Sequence, residues 1–440
     1  MAQKTAAPAG PIAANRRVLA AAMIGSTIEY YDFFIYGTAA ALVFGPLFFP
    51  AQDPAAQVLF SLMTFGLAFV ARPLGSILFG HFGDRVGRKV TLVVALLTMG
   101  ISTTAIAFLP TYAQIGWIAP AMLCLLRFGQ GLGIGGEWGG AALLAVENAP
   151  PGWRARFGAA PQLGAPIGLV LANGLFLLLT ALLPKDDFMS WGWRLPFLLS
   201  AALVVLGLWV RLRISETPEF EAAMAKSHPA SVPLATLFAE RARSVIWGSA
   251  GAIATFCAFY LCTSFALTLA TNEFGYDRQS FLTVQLFTPF FYAAGIVAGA
   301  RKADQTSPGV PVARGALLLA ICGFAYGPAL SQGSLPFAAV TLCTIMLVLG
   351  YNNGTVGPWL ATLFPVRLRY TGTGLTFNFG GMIGGALLPL LAARIISAGY
   401  PNWTGALLVL GGLATWLGVR LARPVSPHED LTRDEQPIGI

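Results

Sequence analysis

Arg127 and Glu137 interrupt one long apolar run, Leu125-Leu126-Arg127-Phe128-Gly129-Gln130 through Gly135-Gly136-Glu137-Trp138. A second apolar run carries Glu29 and Asp32. A charge held at mid-bilayer costs at least about 2.5 kcal/mol, so such residues face a partner or a water-filled path. Charges of both signs in lipid-length segments point to the movement of something polar across a membrane. Glu29 and Asp32 are three residues apart and share one side of a helix. At about 1.5 Å of rise per residue, Asp32 lies near the middle of its span. The Arg127 segment runs the other way, which places Glu137 near the depth of Glu29 and Arg127 at or beyond the depth of Asp32.

The elements that must position these residues are membrane helices. The chain has 440 residues, 56% hydrophobic and only 10% charged, where soluble domains run near 25% charged. Spanning hydrocarbon takes about 20 apolar residues. Apolar runs predict twelve spans, near 18–48, 56–82, 89–109, 115–147, 156–183, 192–212, 244–271, 279–300, 313–331, 335–363, 371–398 and 403–422. The net charge of +8 would suit nucleic acid, but its placement excludes that reading. Bases crowd into alternate loops, such as Arg85/Arg88/Lys89, Arg154/Arg156 and Arg367/Arg369. That is the positive-inside pattern, and it puts both termini in the cytoplasm. The polar segment 213–243 divides the chain into a six-helix bundle at 18–212 and another at 244–422, with tails at 1–17 and 423–440. Two such halves with a site between them at mid-membrane are one transporter architecture. Pro233–Phe238 within the linker reads as an amphipathic turn or short helix.

No enzyme, cofactor or metal constellation stands out. Five cysteines lie in apolar stretches and read as buried thiols, and His81, His228 and His428 are scattered. The glycine runs at 129–136 and 380–385 lack the strand-to-helix context of a phosphate loop; their spacing lets helices approach closely. Pro161, Pro166, Pro289, Pro358 and Pro389 should kink their spans.

Gly80-His-Phe-Gly83-Asp84-Arg85-Val-Gly87-Arg88-Lys89 falls between spans two and three. Its glycines permit a tight turn, and Asp84 can accept hydrogen bonds from a neighbouring helix N-terminus. The motif resembles that of the major facilitator superfamily. Glu29-Tyr-Tyr-Asp32-Phe-Phe-Ile-Tyr-Gly37, Arg127-Phe-Gly-Gln130-Gly, Gly135-Gly-Glu137-Trp-Gly-Gly and Glu147-Asn-Ala-Pro150 resemble its metabolite:proton symporters, carriers of organic acids or zwitterionic osmolytes. The resemblance implies an all-α fold of two pseudo-symmetric six-helix bundles in a bacterial inner membrane. It also implies a cytoplasmic gate of Gly80, Asp84, Arg85, Gly87 and Arg88, together with Glu147. Two departures leave the second-half gate open: Gly299-Ala-Arg301-Lys302-Ala-Asp304 lacks the glycine spacing, and Thr362 precedes Leu363-Phe364-Pro365 where relatives carry Glu.

With spans one and four lining a cavity, as the resemblance implies, Asp32 and Arg127 form a pair and Glu29 and Glu137 are two acids at one depth. Two such carboxylates disfavour ionising together. The expectation is that Asp32 carries the proton, with Glu29 and Glu137 as further candidates. Arg127 is then its counter-ion or the anchor of a substrate carboxylate, and competition for it couples the two movements. The bland alternative is a static ion-pair network. Tyr36 and Gln130 in the first half, and Tyr260, Gln285, Asn352, Asn353 and Asn378 in the second, are the candidate substrate-binding groups. The function expected is proton-coupled symport of a small organic acid or related metabolite by a monomer in the bilayer. A drug:proton antiporter and a non-transporting membrane sensor are the alternatives.

Overall fold

The computed structural model describes residues 15–49, 54–212 and 233–425, and every regular element among them is helical. Ten helices among the described residues are long and apolar enough to cross a membrane, and a bent pair in the first span makes an eleventh. The 30-residue helix Pro54–Gly83 occupies the place of the expected second span, and at about 1.5 Å per residue it is long enough to cross. In chain order, α1 is Arg16–Ala39, continued through a π turn at Ala40–Phe44 into Gly45–Phe48, and α2 is Pro54–Gly83. Then come α3 (Arg88–Ile106), α4 (Ile118–Glu147), α5 (Arg154–Gln162 with Gly164–Leu182) and α6 (Leu195–Leu212). The second set is α7 (Pro233–Ala250 with Ile253–Tyr260), α8 (Arg278–Gln305), α9 (Gly309–Ser331), α10 (Leu335–Ala361), α11 (Arg369–Met382 with Leu388–Ser397) and α12 (Gly405–Leu421). Of the expected linker, 213–232 lies outside the described residues, as do most of both tails. Pro233–Phe238 is helical, and Arg241 at φ −134° and ψ 22° breaks that short helix from the rest of α7.

Glycine sets the closest packing. A Cβ at Gly75, Gly131 or Gly135 would strike the backbone carbonyl of Leu132, Ala68 or Arg72, so α2 and α4 touch backbone to backbone. Gly295 and Gly299 on α8 meet α10 in the same way, at Leu347 and Tyr351. Small residues are what let membrane helices approach this closely. Contacts also cross between the two sets of six: α11 packs on α2 and α4, while the first part of α5 packs on α8 and α10. The π turns of α7 (Leu261–Phe265, Leu269–Glu273) and α11 (Ile383–Leu387) lie, like that of α1, in the half of the helix farther from Asp84.

Candidate functional site: a cavity between the two sets of helices

Residues of α1, α2, α4, α5, α7, α8, α10 and α11 line a small cavity. Its walls are largely aromatic, with Glu29, Arg72, Thr255, Asn353 and Asn378 as polar groups beside the hydroxyls of Tyr260 and Tyr292. Its volume is about 40 Å³, and one water needs about 10–15 Å³ on that measure. Water fits; a metabolite does not until the walls part. On one side Phe34 stacks on Phe259 at 5.4 Å, and Phe69 meets Tyr260 edge-on at 5.5 Å. On the other, Trp138 and Phe377 lie parallel, 3.4 Å between centroids. Each of these contacts joins a helix of the first six to one of the last six. The cavity is therefore occluded.

The end that carries Asp84 is tied by hydrogen bonds across the same divide. The Asp84 carboxylate accepts from the backbone N–H groups of Tyr370 (3.2 Å) and Thr371 (3.0 Å), and from the Thr371 hydroxyl (2.6 Å). It thus caps the N-terminus of α11, where the helix dipole favours negative charge. Gly80 lies against Thr371, where a Cβ would not fit. Gly87, at φ 122°, makes the turn into α3. Glu147 reaches Arg369 at 3.3 Å. Arg85, in the turn after α2, bonds instead to His81 in the last turn of that helix (2.9 Å), and the Arg88 side chain lies outside the described residues. The second half repeats the device. Asp304 accepts from the N–H groups of Ala155 (2.8 Å) and Arg156 (3.3 Å) and from Arg156 Nε (2.6 Å), capping α5. The segment that departs from the family's glycine spacing, here the last turn of α8, still makes the contact, because a cap needs a carboxylate in place rather than the glycines.

The buried charges are arranged differently from the sequence expectation. No ion pair joins Asp32 to Arg127 among the described residues. Asp32 is wholly buried beside the hydroxyls of Thr103 on α3 and Ser200 on α6, and neither carboxyl oxygen meets hydrogen-bond geometry. Arg127 donates to Gln130 Oε1 and lies over Tyr36 (3.9 Å) and Phe33 (4.8 Å). Gln130 in turn donates to the Asp32 carbonyl (3.1 Å) and the Thr103 hydroxyl (2.7 Å). Arg127 and Asp32 thus share a polar chamber inside the first set of helices, off the cavity wall. Glu137 is held by Arg211, which also donates to the Leu92 carbonyl (2.7 Å). The Arg211 guanidinium lies against Gly25, one turn before Glu29.

Of the expected acids, only Glu29 reaches the cavity; of the expected binding groups, Tyr260, Asn353 and Asn378 do. Asn353 donates to Gln162 (3.2 Å) and to Tyr292. Asn378 donates to Ser76 (2.7 Å), so it too bridges the halves. Five others are turned into their own bundles. Arg127, Gln130 and Tyr36 serve the chamber, Tyr36 through its bond to Thr64 (2.6 Å). Gln285 donates to the carbonyls of Cys262 (3.2 Å) and Thr263 (2.6 Å), beside the α7 π turn. Asn352 accepts from Thr255 (3.0 Å) and donates to the Val312 carbonyl (2.8 Å). Sequence reasoning missed Arg72, although an arginine in an apolar run, Ala71-Arg72-Pro73, was signal enough.

Helices of this length, packed as two interlocked sets around an occluded, largely aromatic cavity with a few polar groups, fit a membrane transporter of the major facilitator type. The sugar (and other) transporter family matches residues 18–240. The inner membrane metabolite transport protein YhjE of Escherichia coli K12 is 46% identical over 87% of this chain and 88% of that protein. The shikimate transporter of the same strain is 36% identical over 90% of this chain and 91% of its own. Among solved structures, the proton:xylose symporter XylE with 6-bromo-6-deoxy-D-glucose superposes with a TM-score of 0.73 at 16% identity, covering 92% of this chain and 94% of that one. The chain belongs to the sugar (and other) transporter family of the major facilitator superfamily; it is a multi-pass membrane transporter and not an enzyme.

Proposed function

We propose that the chain is a proton-coupled symporter that imports a small organic acid or related metabolite across the bacterial inner membrane by alternating access. The observation that carries this reading is the occluded cavity, sealed at both ends by contacts between the two sets of helices. In this reading, 18–212 and 244–422 move as two bodies joined by 213–243, and a monomer suffices. The basic loops support an orientation with the Asp84 end and both termini in the cytoplasm. The names of the relatives, a metabolite transporter and a shikimate transporter, support the substrate class.

Asp32 is the proton site in this account. Burying an ionised carboxylate without a partner costs several kcal/mol, so the geometry around Asp32 suits the neutral acid. Its separation from Arg127 is what coupling requires when the proton is on board. Once deprotonated, Asp32 has Arg127 within the same chamber as its counter-ion. Reconstituted protein tests the function directly. Adding shikimate to weakly buffered proteoliposomes should alkalinise the medium outside as substrate and proton enter together. Uptake with no accompanying pH change would contradict symport.

A further inference from the structure

Among the described residues, the cavity wall holds one cation and one anion, and neither has an ion-pair partner. Arg72 on α2 is 5% exposed, its guanidinium lying over the rings of Phe33 (4.4 Å) and Phe69 (4.6 Å). Those contacts use the face of the group. Its Nε has no hydrogen-bond partner, and no ion pair reaches the side chain among the described residues. Glu29 on α1 is 2% exposed, with Oε2 likewise unbonded and no ion pair to Arg72. Buried charges left this way are costly unless something else completes them. Both stand on helices of the first set, while Tyr260, Tyr292, Asn353 and Asn378 close from the second.

We infer that Arg72 and Glu29 are the two poles of the substrate site: Arg72 binds the carboxylate of a small monocarboxylate, and Glu29 takes the donor group at the molecule's other end. The inference rests on the symport reading and names the substrate class for it. A guanidinium is suited to carboxylate because its planar fork donates two parallel hydrogen bonds. The group that meets Glu29 is a hydroxyl or a protonated amine, from which a carboxylate accepts a hydrogen bond, or a quaternary nitrogen, which it attracts by charge alone. Aromatic walls cover the carbon skeleton between the poles. A second carboxylate would meet Glu29 and be repelled, so di- and tricarboxylates are excluded.

The test is equilibrium binding to the purified full chain in detergent, with shikimate, proline, glycine betaine and citrate as probes. Wild type should bind at least one of the three monocarboxylates and reject citrate. Arg72→Gln should weaken that binding by about tenfold to hundredfold, the range for a lost charged hydrogen bond, with Arg72→Lys between. The primary amide of the bound acid should bind wild type as weakly as the acid binds Arg72→Gln, a comparison that needs no folded variant. Glu29→Gln separates the two donors: a hydroxylated ligand loses less than about tenfold, because the amide oxygen still accepts, and a cationic one loses more. Equal binding of acid and amide to wild type, or citrate bound as tightly as the monocarboxylates, overturns the assignment. If a probe is still accumulated with a proton and binds Arg72→Gln unchanged, the site assignment fails and symport stands. If wild type neither binds nor accumulates any of the monocarboxylates, both fail.

Discussion

Glu137 and Arg211 form the buried ion pair of the first bundle, and removing one member leaves the other charged and alone. Such single removals cost about 3–5 kcal/mol, whereas exchanging both for apolar residues of similar volume is near neutral. Glu137→Leu should therefore lower the melting temperature in detergent clearly, and the double change Glu137→Leu/Arg211→Leu should recover most of the loss. A double variant less stable than the single would show that the pair itself holds the bundle together. Arg211 sits at the end of its span, where a base reads as a loop residue, but its long side chain reaches inward to Glu137. The same limit explains Asp32 and Arg127. Counting residues along helices gives depth, and the bridge through Gln130 shows the two at adjoining levels. It does not give rotation about the helix axis, which packing decides. Glu29 and Asp32, only three residues apart, consequently end on different sides of the cavity wall.

Between helices, the two aspartate caps govern one end of the transporter. Asp84 on α11 and Asp304 on α5 each fasten a helix of one set to a loop or helix end of the other. Replacing Asp84 by Asn keeps a weak acceptor and removes the charge that the helix terminus favours, worth about 0.3–1 kcal/mol. Spin labels at Val86 and Phe238, both exposed, read the separation across this end. Asp84→Asn should shift the distance distribution toward longer values, and the Asp84→Asn/Asp304→Asn double variant further. An unchanged distribution in the double variant would mean that these caps do not hold the end closed. The first cap was legible because its motif carries the turn glycines. The second was not, because sequence spacing records the shape of a loop rather than where an aspartate comes to rest. The apolar runs foretold the helices, and the glycine run at 129–136 foretold the close approach of α2 and α4, since length and smallness act locally.

For the whole molecule, the account is that one cavity opens to each side of the membrane in turn, and that a proton on Asp32 licenses the passage of substrate. The most direct test compares wild type with Asp32→Asn in proteoliposomes, under an imposed pH gradient acid outside. Wild type should concentrate substrate above its external level. Asp32→Asn, fixed in the neutral form, should still exchange substrate across the membrane but fail to concentrate it. Gradient-driven accumulation by Asp32→Asn equal to that of wild type would contradict the account.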